Sequence, residues 1–343
     1  MPDHHRSLSA GRRSILLPVL LMVLLLAAIF AIGIKTGAPA MTWRELYMIL
    51  TAGGGDELAR VVVLEIRLPR ILLALLVGAM LGTAGTMLQG GMNNQLAGPE
   101  LLGVSSGASL GMAVITVLHI PIPFELHPVI ALLGGLLGGF MVILAARGSR
   151  GIVGMLMIGM SVSAILSGLL IILIAMGTSN DVQLLYTYLL GSLANRTWDH
   201  VIRILPWAVV ALPIAFTFAS KLNLLQLGDD AASGLGVKAE RTRILILIVS
   251  TLLVAITVAQ CGPIGYIALL APHVTRIALH TLDTRLVLPF SALCGGILLA
   301  AADTVARLLL YPVEIPVGIW TTLLGGSLFL FFLLKRRGGG QRV

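Results

Sequence analysis

Charge is the scarcest property of this chain. Lys, Arg, Asp and Glu make up 11% of its 343 residues, where a soluble globular domain carries about 25%. A water-soluble enzyme or nucleic-acid-binding domain is thereby excluded. Cysteine occurs twice, at Cys261 and Cys294, both in or beside apolar runs. Two such residues are expected to be small apolar fillers rather than a disulfide. No GxxxxGK[ST] phosphate loop occurs, and neither does a zinc-ligand spacing, a catalytic triad pattern or a CxxCH haem attachment. If the chain takes part in ATP-driven work, another subunit must bind the nucleotide. Acids within apolar runs are few, which argues against a self-contained proton-coupled transporter.

What is present is hydrophobic length. Apolar residues are 57% of the chain and mean hydropathy is +1.01. A membrane span takes about 20 apolar residues. Ten candidates are expected, at 15–34, 71–91, 101–118, 129–146, 152–176, 201–220, 244–260, 264–280, 286–310 and 316–334. Little chain is left for a soluble domain. Arg6, Arg12 and Arg13 precede the first run, but Ile15 to Ile34 is longer than the apolar core of a cleaved signal and reads as a span. The chain divides into an N-terminal tail (1–14), one permease-like membrane domain (15–334) and a C-terminal tail (335–343).

The net charge of +8 follows membrane orientation rather than a polyanionic partner. With the N-terminus inside and ten alternating spans, inside segments hold fifteen of the 23 Lys and Arg residues, including Arg147, Lys221, Lys238, Arg241, Arg243, Arg276 and Lys335. This bias predicts that both termini are cytoplasmic. Trp43, Tyr47, Trp198, Trp207 and Tyr311 fall near the predicted outer ends, where amphipathic rings anchor. Glycine reaches 39 residues. Gly78/Gly82, Gly103/Gly107/Gly111 and Gly134-Gly135/Gly138-Gly139 are spaced for close helix approach, or reflect the general abundance of glycine in membrane helices.

One polar stretch stands out, from Leu224 to Arg243. Asp229 and Asp230 are expected to cap a short helix of small residues that Gly234 and Gly236 terminate. The charge bias places it inside, as a part to be pushed by a partner. Polar breaks at Gln89–Pro99 and Gln260–Gly265 suggest a protein-lined path, with plain turns as the alternative. Asp303 and Arg307 stand four apart on one helix face; Asp303 is expected to be structural and Arg307 exposed. Arg67 and Arg70 could bracket one outer patch or anchor the interface. His273 is expected to pack rather than relay protons.

Taken in order, Arg67-Leu68-Pro69-Arg70, Leu101 to Ala108, Leu227-Gly228 through Leu235-Gly236-Val237, Glu240 to Arg243, Gly262-Pro263-Ile264-Gly265, Pro272-His273, Ala302 to Arg307 and Glu314 to Gly318 resemble the FecCD-type permeases. These are the membrane subunits of type II ABC importers for iron–siderophore complexes, haem and cobalamin. The resemblance implies an all-α, ten-helix, BtuC-like permease fold in a bacterial cell membrane. It implies as partners a second permease subunit, two cytoplasmic ABC ATPases and an external solute-binding protein. It assigns no catalytic residue, metal or cofactor to this subunit, with ATP and Mg on the ATPase.

Residue by residue, it implies that Leu227, Gly228, Asp229, Ala232, Leu235, Gly236 and Val237 form the ATPase coupling segment. Arg67, Arg70 and Arg307 would meet acidic residues of the binding protein. Asn94, Gln95 and Leu96 would form the inner gate, where the family's Asn-Pro-Leu-Ala-Asp-Pro reads Asn94-Gln95-Leu96-Ala97-Gly98-Pro99 and so lacks one proline and the carboxylate. A second gate falls near Ile152-Val153-Gly154. Met155, Met157 and Met160 could line the path or fill the core. A ferric siderophore is the expected substrate, before haem and cobalamin. A stand-alone secondary transporter and a membrane-embedded enzyme are the rival classes, and they lack an acid cluster and convergent catalytic groups respectively.

Overall fold

The computed structural model describes residues 4–37, 39–52, 56–147, 151–309 and 313–338. Among these residues the chain forms fifteen α-helices and no strand. They are α1 (His4–Lys35), α2 (Trp43–Ala52), α3 (Glu57–Val61), α4 (Leu68–Gly91), α5 (Val104–Val117), α6 (His127–Ala146), α7 (Gly151–Met176) and α8 (Ser179–Leu189). After them come α9 (Trp198–Phe216), α10 (Ala219–Leu225), α11 (Asp229–Gly234), α12 (Ala239–Cys261), α13 (Ile267–Leu279), α14 (Thr284–Leu309) and α15 (Val317–Gly338). Seven helical segments are long and apolar enough to cross a membrane, and α5, α13 and part of α15 are shorter apolar helices. Together they account for the ten expected spans. The protein is an integral membrane protein. Of the positions read from sequence, Arg150, Tyr311 and 339–343 lie outside the described residues.

Helix α4 is the centre of the bundle and is buried along most of its length. Its glycines explain how. A Cβ at Gly78 would overlap the Gly295 carbonyl, one at Gly82 the Ser291 carbonyl and one at Gly85 the Ala268 carbonyl. So α14 and α13 lie directly on its backbone. Likewise Gly107 faces Gly134 and Gly138 faces Gly103, which brings α5 onto α6. In lipid no hydrophobic drive separates helix contacts from lipid contacts, so close approach at small residues supplies the packing.

The entry to α4 is irregular for a reason visible in its sequence. Val62–Arg67 forms a π-helical turn, and the Leu68 amide donates to the Val63 carbonyl, five residues back. Pro69 has no N–H, so the Leu64 carbonyl loses its donor within the helix. The indole Nε1 of Trp198, at the start of α9, donates to it at 2.8 Å. An interfacial tryptophan of the sequence reading is thus a specific partner of a broken helix turn.

Candidate functional site: the two polar ends of the bundle

At one end lie the C-terminus of α4 and the N-termini of α12 and α14, joined to the polar stretch at 224–243. Gly228 precedes α11 with φ 99° and ψ 162°, a conformation essentially restricted to glycine. It occupies the N-cap position, and no side chain caps the helix. The expected capping by Asp229 and Asp230 is therefore corrected: both carboxylates sit in the first turn, where they favour the helix dipole. At the other terminus Gly236 takes φ 84°. Its amide donates to the Ser233 carbonyl at 3.0 Å, and Val237 donates to Ala232 at 2.9 Å. These are the two bonds of a Schellman stop, which needs a left-handed residue at this position.

The stretch has two sides. Leu227 and Leu235 are 65% and 61% exposed, whereas Ala232 is fully buried. Val237 packs against the core. Of the expected contact residues, Ala232 and Val237 therefore hold the segment to the bundle, and the outward apolar surface belongs to Leu227 and Leu235.

Arg243 closes the polar stretch in the sequence, and the structure gives it a larger part. It is 3% exposed. Its Nη1 and Nη2 donate to Asp229 Oδ2 and Oδ1 at 2.7 and 2.6 Å. Its Nε donates to the Gly91 carbonyl at the end of α4, at 2.9 Å. Arginine's planar fork permits the bidentate grip and a third bond at once. The fork holds the Asp229 carboxyl below the usual carboxylate range. Asn223 and Gln226 complete the attachment: Asn223 Nδ2 donates to Asp283 Oδ1 at 2.6 Å, the Thr284 amide donates to Asn223 Oδ1 at 2.7 Å, and Gln226 Nε2 donates to Thr284 Oγ1 at 3.0 Å.

The break after α4 lies at this same end. The Asn94 amide donates to the Gln89 carbonyl at 3.1 Å, and Asn94 Oδ1 accepts from the Leu96 amide at 2.9 Å. Gln95 and Leu96 are exposed at the tip. Gly98 matters here because a Cβ would overlap Glu100 Oε2, so the Glu100 carboxylate fills the space beside it.

The opposite end holds a buried charge cluster. Arg70 Nε and Nη2 donate to Asp303 Oδ2 and Oδ1, both at 2.9 Å. Arg70 Nη1 donates to Glu314 Oε2 at 2.8 Å. Arg307 Nη2 donates to the Gly33 carbonyl at 3.2 Å, with its Nε 3.4 Å from Asp303 Oδ2. Arg67 donates to the carbonyls of Ile34, Lys35 and Pro39 at 3.0, 2.9 and 2.6 Å, closing the C-terminus of α1. Arg67, Arg70 and Arg307 are 3%, 6% and 8% exposed. The expected exposure of Arg307 is therefore corrected. An arginine inside an apolar bundle must find acceptors, and here the chain supplies them itself, except that Arg307 Nε is left with the Asp303 charge and no hydrogen bond.

Residues 21–335 match the FecCD transport family. The chain belongs to the FecCD transport family. Among its relatives, the hemin transport system permease protein HmuU of Yersinia pestis is 36% identical, covering 92% of this chain and 95% of the relative. The cobalamin import system permease protein BtuC of Halobacterium salinarum is 33% identical, covering 93% and 90% respectively. A solved metal-chelate type ABC transporter in an inward-facing conformation superposes with a TM-score of 0.82 at 30% identity, over 92% of this chain and 98% of that one. The chain is accordingly an ABC transporter permease subunit of the FecCD type.

In this FecCD permease α7 is the least buried of the long spans. Met157 and Met160 are exposed on it, at 62% and 58%. Met155 is not: it is 6% exposed and packs beside Leu88, Met92, Leu101 and Leu102. Of the two places open to it, path or core, it takes the core. The second-gate stretch opens the same helix, with Val153 69% exposed.

Proposed function

We propose that this FecCD permease carries a ferric siderophore across a bacterial cell membrane, with both termini cytoplasmic, as part of an ATP-driven importer. A second permease subunit, identical or paralogous, completes the path. Two ABC ATPases bind ATP and Mg, and a solute-binding protein delivers the substrate. The observation that carries this reading is the short helix α11, held on the bundle by buried contacts while Leu227 and Leu235 face outward. An apolar pair flanking a tethered helix suits a cleft on a moving partner. ATP binding closes the ATPases, α11 shifts, and the gate at Asn94, Gln95 and Leu96 changes state. Met157 and Met160 supply an adaptable surface on the exposed face of α7.

At the other end, the binding protein's acids have to compete with Asp303 and Glu314 for Arg70 and Arg307. Charge pairing of that kind sets orientation and on-rate more than affinity.

The test is uptake into vesicles carrying this chain, its ATPase and a binding protein, offered radiolabelled ferric siderophore, hemin or cobalamin. ATP-dependent accumulation of the ferric siderophore is expected. Accumulation of hemin or cobalamin alone would reassign the substrate. Uptake that needs no ATP would sink the importer reading in favour of a secondary transporter.

A further inference from the structure

Three hydrogen bonds leave one buried guanidinium for two partners, and with the arginine's own helix they join three parts of the chain. Arg243 sits in the first turns of α12. Asp229 opens α11 and has a half-exposed side chain. Gly91 ends α4, and three residues later stands Asn94, whose side chain accepts the Leu96 amide. The carbonyl at Gly91 is one of the last in its helix, with no intrahelical donor of the α type available. A cation there also favours the negative end of the helix dipole.

We infer that Arg243 is the positioning residue that transmits displacement of α11 to the gate loop after α4, through its fork on Asp229 and its Nε bond to the Gly91 carbonyl. This rests on the coupling reading of α11 given above.

Two further contacts keep the linkage stiff. Gly90 and Gly91 lie directly against Leu222 of α10 and Ile246 of α12. The end of α4 is therefore closely packed on α10 and α12, so a displacement of Arg243 is passed on to it rather than taken up in a gap. Asp230 is exposed like Asp229 but is not among the partners of Arg243, so the two adjacent acids divide into one tether and one charge outside it. The carboxylate at 229 should be required, whereas that at 230 should be dispensable.

The experiment uses the permease purified with its ATPase. Spin labels at Leu235→Cys or Leu96→Cys are each paired with a reference label at Phe124→Cys, on the opposite end, in a background lacking Cys261 and Cys294. Distances are measured without nucleotide and with ATP and Mg. In the parent both Leu235 and Leu96 are expected to shift. In Asp229→Asn the Leu235 shift is kept and the Leu96 shift is lost. Asp229→Glu, which keeps the carboxylate, restores the Leu96 shift, and Asp230→Asn leaves both shifts intact. Arg243→Lys keeps the buried cation but cannot span both partners, and it gives the same separation as Asp229→Asn. A Leu96 shift that persists in Asp229→Asn and Arg243→Lys overturns the tether alone. Absence of any nucleotide-dependent shift at Leu235 in the parent overturns the coupling reading, and the tether with it.

Discussion

Both ends of the bundle are built on buried arginines, yet they are wired in opposite ways. At the far end Arg67, Arg70 and Arg307 are held by carbonyls at and just beyond the end of α1 and by Asp303 and Glu314. These partners lie on long, packed helices or on the connections at their ends. At the loop end Arg243 joins a partner on a long packed helix, the Gly91 carbonyl, to one on a short peripheral helix, Asp229. The first arrangement locks helix ends together. The second joins a short peripheral helix to the central helix of the bundle. The difference lies in what holds the acceptor, since the guanidinium is equally buried in both.

Removing Asp303 should break the lock most severely. Asp303→Ala leaves Arg70 and Arg307 buried without their shared carboxylate, a loss of about 3–5 kcal/mol. The thermal midpoint in detergent should fall sharply, and an unchanged midpoint would mean the far end is not a lock. Gly236→Pro should strike the other end. It removes the amide bond to Ser233 and cannot adopt φ 84°, at a local cost of roughly 3 kcal/mol. Because α11 is peripheral, the permease should still reach the membrane at parent level while ATP hydrolysis proceeds without uptake. Normal uptake would remove the coupling role.

Trp198→Phe sits between these in character. It leaves the Leu64 carbonyl of the π turn without a donor, worth about 1–3 kcal/mol, read as a lower midpoint with no change in the ATP-to-uptake ratio. Glu314→Gln should have the smallest stability effect. Its side chain is 45% exposed, so the loss stays under about 1 kcal/mol, and its readout is salt-dependent docking of the binding protein.

Acid sharpens the same contrast. Asp229 is held below the usual carboxylate range mainly by its hydrogen bonds to Arg243. Its contribution is complete above the ordinary value of about 3.9 and is lost as pH falls through the lowered one. Between roughly pH 6 and 8 the tether should show no pH dependence. A stability loss confined to the acid limb, and absent in Asp229→Asn, is the expected signature.

Much of this was legible before any coordinates. The glycine pairs at 78/82 and 103/107 gave the close helix contacts because small-residue spacing is a local property. Gly236 announced its left-handed stop in the same way. The short helices α2, α3, α8 and α10 were not found, since brief amphipathic pieces between spans lack a period long enough to register. The arginines misled. An isolated R-x-x-R reads equally well as a surface pair or a buried one, and the deciding acceptors stand far away in sequence, at Ile34, Asp303 and Glu314. For the methionines helix phase decides between the two places left open: Met155 turns into the core, while Met157 and Met160 on the same helix stay exposed.

By itself the sequence determined that the chain lives in a membrane, how many times it crosses, and which polar stretch stays outside the bilayer. Length, hydropathy and backbone freedom are properties of short windows. The tertiary structure alone decided which charges are spoken for. Whether an arginine is free depends on acceptors that folding brings from distant segments, and this settled Arg307 as a locked residue and Arg243 as a link between α11 and α4.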